Sequence, residues 1–266
     1  MDLLRFLFDI GIRRGHNIIV HASFKSLSTL FPSITPEHFF STLTSFITSK
    51  GSVILPAFTY NLKKKDGEKS FFHKSAPAKT GYISEAFRNF PGTIRTSSPT
   101  HSFTLWGRIT TEIESSNNPS YPLGGSSPVG WMDQNVDSFA LLIGTTFNSL
   151  TYLHYLERTF NIPYLDLFCW QDDYLPVGVS EEGEVNLEEV PGCSNGFEEL
   201  ETWLLEEQKL AKTVYGDVCI YYIRLSMLKS MSESFFKNSY KKLLCKNPYC
   251  ICCNTRKNFL KDRGLI

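Results

Sequence analysis

The chain has 266 residues with 42% hydrophobic content, enough for one large α/β domain or two small ones. Lys plus Arg and Asp plus Glu both number 27, so the formal net charge is zero, which argues against a protein that coats nucleic acid. No apolar run has the length needed to cross a bilayer; the expectation is no nucleic acid, no membrane and cytoplasmic residence.

Residues 2–13 read as an amphipathic opening helix, interrupted by Asp2, Arg5 and Asp9 and so unlike a secretion signal. Asn17 to His21 is a short β-branched strand, followed by a polar turn over 23–28. Pro36 to Ser49 predicts a helix, with Thr35 as its cap and Pro36 at its first position. Ser52 to Pro56 predicts a second buried strand. Lys63, Lys64, Lys65 and Lys69 mark a polar loop, and Gly81 to Phe90 a helix whose apolar face is Tyr82, Ile83, Ala86, Phe87 and Phe90. Residues 95–102 form a polar segment ahead of the apolar run Phe103 to Trp106. Residues 124–128 are rich in turn formers.

Phe139 to Ile143 predicts a buried strand ending in Gly144-Thr145-Thr146, and Thr151 to Phe160 a helix. Residues 171–190 are irregular, β-leaning and acidic. Gly196 to Lys212 and Ser226 to Lys237 read as helices flanking a strand from Asp217 to Ile223. Strands alternating with helices predict an α/β class, a central, mostly buried sheet flanked by helices. No interdomain linker is evident, so residues 1–266 are expected to form a single domain.

The run Thr151-Tyr152-Leu153-His154-Tyr155-Leu156-Glu157 carries the most chemistry. His154 and Glu157 stand three apart and share one helical face, a base beside an orienting carboxylate. The plain alternative is a packed, hydrogen-bonded core histidine. Position favours chemistry: polar segments at 21–28, 95–102 and 124–128 adjoin strand ends, where ligands collect in open α/β sheets. The segment His21-Ala22-Ser23-Phe24-Lys25-Ser26-Leu27-Ser28 offers hydroxyls and a cation to an oxyanion, or is an ordinary capped turn. Neither a Walker pattern nor GxGxxG occurs. The acidic stretch 181–189 is solvated surface or an attractor of a cationic amine.

Seven cysteines fit a reducing compartment. Cys169, Cys193 and Cys219 read as packed small hydrophobes. Cys245, Cys250, Cys252 and Cys253 cluster late in the chain and are either zinc ligands or free thiols. They lack a second CxxC pair, and no metal is expected.

Six blocks in order resemble the aminoglycoside 3-N-acetyltransferase family, antibiotic acetyltransferases unrelated to the GNAT fold. They are His21 to Leu27, Gly51 to Tyr60, Gly81 to Arg88, Arg95 to Ser102, Gly124 to Pro128, and Thr151 to Glu157. The resemblance implies that family's fold and coenzyme A-dependent transfer of an acetyl group to an amine of an amino sugar, aminoglycoside or related small molecule. It places the general base on His154 with Glu157 beside it. It places a coenzyme A pocket on His21, Ser23, Lys25, Ser26, Leu27, Arg95, Ser98 and Ser102. Ser98 fills a slot where the family commonly carries His. Residues 161–195 form a divergent, acceptor-side insertion.

The residue types suit that chemistry. A protonated amine must lose a proton before it attacks a thioester, and a histidine titrates in the right range. Glu157 would hold one imidazole tautomer. The Thr151 hydroxyl would steady the oxyanion. Acetyl-CoA is the expected co-substrate and direct transfer the expected route, Cys193 being the candidate nucleophile of a covalent alternative. A homo-oligomer is compatible with the sequence. Two further readings are a non-catalytic coenzyme A or metabolite-binding module of the same fold, and a zinc hydrolase, which lacks HExxH.

Overall fold

The runs Asn17–Ala22, Ser52–Pro56 and Ser138–Ile143 are almost wholly apolar, and they pair in parallel at the centre of a seven-stranded sheet. Strands buried on both faces read as continuous apolar runs, which is why these three are legible in the sequence. The structure, a computed structural model, describes residues 2–67, 71–113 and 119–265. Lys69 therefore lies outside the described residues.

In chain order the elements are α1 (Leu3–Asp9), β1 (Asn17–Ala22), α2 (Phe24–Leu30), α3 (Pro36–Ile47), β2 (Ser52–Pro56), β3 (Leu62–Lys64), α4 (Tyr82–Arg88), β4 (Ile94–Arg95), β5 (Phe103–Gly107) and α5 (Ile109–Glu112). There follow α6 (Pro128–Gln134), β6 (Ser138–Ile143), α7 (Tyr152–Thr159), β7 (Tyr174–Ser180), β8 (Gly183–Asn186), α8 (Glu198–Glu206), β9 (Thr213–Tyr215), β10 (Val218–Arg224), α9 (Leu225–Asn238) and α10 (Ile251–Asp262). The large sheet runs β4-β5-β2-β1-β6-β10-β9. Its register sets Ile18 between Val53 and Phe139. β5 and β10 flank the parallel trio in antiparallel sense. Apolar clusters cover both faces. One holds Ile19, Leu142, Tyr152, Leu156 and Phe235; the other holds Phe6, Leu27, Phe40, Leu43 and Leu141. The expected α/β class is thus the observed one. No described helix is long and apolar enough to cross a membrane.

Several local expectations change. The polar turn at 23–28 is the start of α2: the Ser23 Oγ accepts the Ser26 N–H at 3.3 Å, and Leu27 is wholly buried. The turn formers at 124–128 lead into α6, where Ser127 caps the Gly130 N–H at 3.2 Å and Pro128 begins the helix. Lys63 and Lys64 belong to β3, which pairs with β7 in a second sheet, β3-β7-β8, and Lys63 meets Glu184 at 2.7 Å. α8 ends at Glu206, six residues early, because Gln208 takes a left-handed backbone (φ 55°) before the chain enters β9. The terminal cysteine segment becomes α10, with Cys250 as its cap.

Candidate active site

The parallel strands β1, β2 and β6 end on one edge of the sheet, at Ala22, Pro56 and Ile143. A cavity of about 550 Å³ opens there, a size suited to a small-molecule ligand. Its walls come from the strand ends (Val20, His21, Leu55), from residues 145–154, from Thr100 and His101, and from Trp170, Tyr174 and Val190 to Gly192. β6 is followed by Gly144, whose left-handed backbone (φ 60°) lets the chain turn against α2. A side chain at Gly144 would collide with Ser26.

His154 stands on this wall, in the first turns of α7, and is 9% exposed. Its Nδ1 lies 2.7 Å from Glu157 Oε2. An ionised carboxylate only accepts, so Nδ1 is the donor in this contact. The Phe197 ring packs on the imidazole at 4.8 Å between centroids. Glu157 itself is buried, and its other oxygen, Oε1, lies 3.7 Å from Arg256 Nη1 of α10. The Arg256 guanidinium sits over the Tyr164 ring at 4.6 Å. Burial opposes its charge, but the Glu157 carboxylate keeps its pKa above the ordinary value. An Arg256–Glu157–His154 chain thus runs from the interior to the cavity.

The other face of α7 is held as firmly. Tyr152 and Tyr155 donate to Asp133 of α6 at 2.5 and 2.9 Å, and Lys229 of α9 reaches it at 2.6 Å. Burial alone would raise the Asp133 pKa; the bonds from Lys229 and the two tyrosines hold it below its usual value. With both faces of α7 pinned, His154 has a fixed direction.

Of the residues singled out in the sequence, His21, Thr151 and His154 share the cavity wall. Thr151 occupies the cap position of α7 without a side-chain cap bond. Glu157 stands directly behind His154. The others lie elsewhere. Ser23 caps α2, Lys25 is exposed on it, Ser26 packs at Gly144 and Leu27 fills the core. Arg95 is buried and spends its guanidinium on the carbonyls of Ala57, Lys74 and Ala76 and on the Ser102 Oγ. Ser98 accepts the His101 N–H at 3.0 Å, and Ser102 donates to Ala57 O at 2.7 Å. Arg95, Ser98 and Ser102 brace the loops around them, and none of these seven residues is on the cavity wall.

Several wall or support residues escaped the sequence reading. His101 faces Phe58 and Tyr60 edge-on. Burial drops the His101 and His21 pKa values to about 3, so both rings are neutral. Glu189, read as solvated, is buried; its Oε2 accepts the Leu123 N–H at 2.9 Å, and burial raises its pKa. Arg256 was missed because no helix was expected after Lys237, where the sequence was read only for its cysteines. Its signal is the buried stripe Cys253, Arg256 and Leu260 at helical spacing.

The cysteines regroup as well. Cys193, read as a packed hydrophobe, brings its sulfur to those of Cys245, Cys250 and Cys253, all four within 4.8 Å of one another. Cys252 is outside that set and accepts the Cys193 N–H at 3.3 Å.

Residues 19–237 match the family model described as aminoglycoside 3-N-acetyltransferase. The chain is 26% identical over 174 residues to the SPbeta prophage-derived aminoglycoside N(3')-acetyltransferase-like protein YokD of Bacillus subtilis (strain 168), covering 58% of this chain and 62% of that one. It is 26% identical over 165 residues to aminoglycoside N(3)-acetyltransferase IV of a Salmonella species, covering 61% and 60%. The chain therefore matches about three-fifths of the length of these curated relatives. The apoenzyme structure of aminoglycoside acetyltransferase AAC(3)-IVa has the same fold, with a TM-score of 0.75 at 20% identity over 96% of this chain and 95% of that one. Since the family match takes in most of the sequence, the chain belongs to the aminoglycoside 3-N-acetyltransferase family.

Proposed function

We propose that this chain moves an acetyl group from acetyl-CoA to the amine of an aminoglycoside or related amino sugar, with His154 as general base. The observation that carries the reading is the His154 Nδ1 to Glu157 Oε2 bond of 2.7 Å on the wall of a cavity at the carboxyl edge of the parallel strands. Family membership supports acetyl transfer. AAC-IIIb, a structure of this fold (TM-score 0.70, 17% identity, 88% of this chain and 94% of that one), was solved as a binary complex with CoASH. A mutant of AAC(3)-IVa was solved in complex with a gentamicin, and again with apramycin.

The chemistry follows from the residues. Glu157 fixes the tautomer, so the Nε2 lone pair is available to an ammonium entering the cavity. Taking the proton leaves a free amine for attack and an imidazolium that the buried Glu157 stabilises. Negative charge then grows on the thioester oxygen. The unspent Thr151 hydroxyl on the same wall is a suitable donor, an effect of about 3 kcal/mol when well aimed. Apolar wall residues such as Val20, Leu55 and Ile83 suit a pantetheine arm. Trp170 and Tyr174 on the wall bracket the exposed Asp172 and Asp173, which favour a cationic acceptor.

The test is His154→Ala assayed for thiol release from acetyl-CoA over a panel of amino sugars. The expected loss in kcat/KM is about 10²–10⁴-fold, with coenzyme A still binding in a calorimetric titration. Near-normal turnover would remove His154 as the base. No thiol release by the unaltered chain with any amine would favour the non-catalytic binding module.

A further inference from the structure

Four thiols from two distant parts of the chain converge beside α10. Cys193 comes from the loop after β8; Cys245 and Cys250 precede α10, and Cys253 lies in its first turn. Their sulfurs lie within 4.8 Å of one another, and no disulfide joins them. Four thiolates held tetrahedrally at zinc, with Zn–S near 2.3 Å, stand about 3.8 Å apart. The late cysteines follow a C-x₄-C-x₂-C spacing, and the fourth ligand arrives from a separate loop, as in closed structural zinc sites.

Backbone donors are aimed at three of the four sulfurs. Cys193 Sγ accepts the Asn195 N–H at 3.4 Å, Cys250 Sγ the Cys253 N–H at 3.5 Å, and Cys253 Sγ the Cys245 N–H at 3.3 Å. Backbone N–H bonds to sulfur are the outer-shell contacts that orient and stabilise metal thiolates. Cys245 and Cys253 are buried and the other two half-buried, so the site is closed to bulk water on most sides. All four positions being cysteine, no place is kept open for a reacting water, which marks a structural and not a hydrolytic site.

We propose that Cys193, Cys245, Cys250 and Cys253 bind one zinc ion in a closed four-thiolate site that staples α10 to the wall of the cavity. Binding forms four Zn–S bonds and releases the four thiol protons to solvent, with no change of oxidation state. The staple reaches the chemistry by two short routes. Cys193 sits between the wall residues Gly192 and Ser194. Arg256, one turn beyond Cys253 on α10, faces Glu157 at 3.7 Å.

The test begins with the unaltered full chain, produced without a histidine tag and without chelator. Elemental analysis is expected to give about one zinc per chain, and replacement by Co²⁺ to give the strong thiolate charge-transfer absorption of a tetrahedral sulfur site. Cys193→Ser and Cys250→Ser each lower the zinc content at least about tenfold, while Cys252→Ser and Cys219→Ser retain it. Cys252 is the sharp control, since it is adjacent in sequence and outside the set. The proposal is overturned if the unaltered chain, offered zinc under reducing conditions, binds less than about 0.1 equivalent. It is also overturned if Cys252→Ser loses zinc as fully as Cys193→Ser. Neither readout depends on acetyl transfer.

Discussion

Arg256 Nη1 lies 3.7 Å from Glu157 Oε1, and each residue is 1% exposed. Two opposite charges are thus buried together, ninety-nine residues apart in sequence, and the second oxygen of the same carboxylate holds His154. The geometry makes Glu157 the hinge between a structural cation and a candidate base. Breaking such a pair from one side leaves an uncompensated buried charge.

Arg256→Ala is therefore expected to destabilise the fold by about 3–5 kcal/mol, read by urea denaturation. Losing a nearby cation also favours the imidazolium, so the acidic limb of the kcat/KM pH profile should move to higher pH. An unmoved profile would reduce Arg256 to packing alone.

Glu157→Gln tests the other end. The amide cannot match a carboxylate in stabilising the imidazolium, and it can present its NH₂ to Nδ1 and so reverse the tautomer. The expectation is a kcat lower by about 10²–10⁴-fold with the KM for acetyl-CoA within a few-fold. A loss confined to KM would argue against the orienting role.

Gly192 is the close approach that lets the cavity loop lie on Arg256; an added Cβ would collide with the guanidinium. Gly192→Ala should cost about 1–3 kcal/mol by overpacking and mimic part of the Arg256→Ala pH shift. Thermal unfolding and the pH profile are measured on the same preparation. Unchanged values for both would mean that the loop yields freely.

The neutral histidines set an acid limit. His21 and His101 have folded pKa values near 3 from burial, against an ordinary 6.5. The unfolded chain binds these protons first, so their contribution is fully present above about pH 6.5 and falls as pH drops toward 3. The limiting slope is about 1.4 kcal/mol per pH unit for each proton. Urea midpoints between pH 7 and 5 should fall, and His101→Gln should flatten the curve. A flat curve for the unaltered chain would show these rings to be accessible to protons.

Arg95 separates a ligand role from a supporting one. Arg95→Ala leaves the carbonyls of Ala57, Lys74 and Ala76 without this donor. A loss of about 2–4 kcal/mol in stability is expected, with little change in the KM for acetyl-CoA. A raised KM at unchanged stability would put the guanidinium on the co-substrate.

The strands and the larger helices were legible because burial on two faces or along one stripe writes itself into local sequence as runs of period one or 3.6. β1, β2, β6 and α3 are found nearly at their expected bounds. The same locality made His154 and Glu157 readable, since one helical turn joins them. What adjacency cannot encode was missed or misplaced. α2 read as a polar turn because its cap is a serine and Lys25, Ser26, Ser28 and Thr29 outnumber its apolar residues, and α6, which follows the turn formers at 124–128, was not expected. Arg95 carries the charge of a ligand-binding residue, yet its loop carbonyls lie 19 to 38 residues away.

The sequence by itself determined the class of the sheet, the family and the pairing of His154 with Glu157. Tertiary structure alone decided that Arg256 backs Glu157, that Cys193 replaces Cys252 among the clustered thiols, and that Arg95 braces the loops around it. The physical reason is that charge pairing and thiol clustering depend on distance in space and on exclusion of water, and the closing of α10 onto α7 and the 187–196 loop sets both.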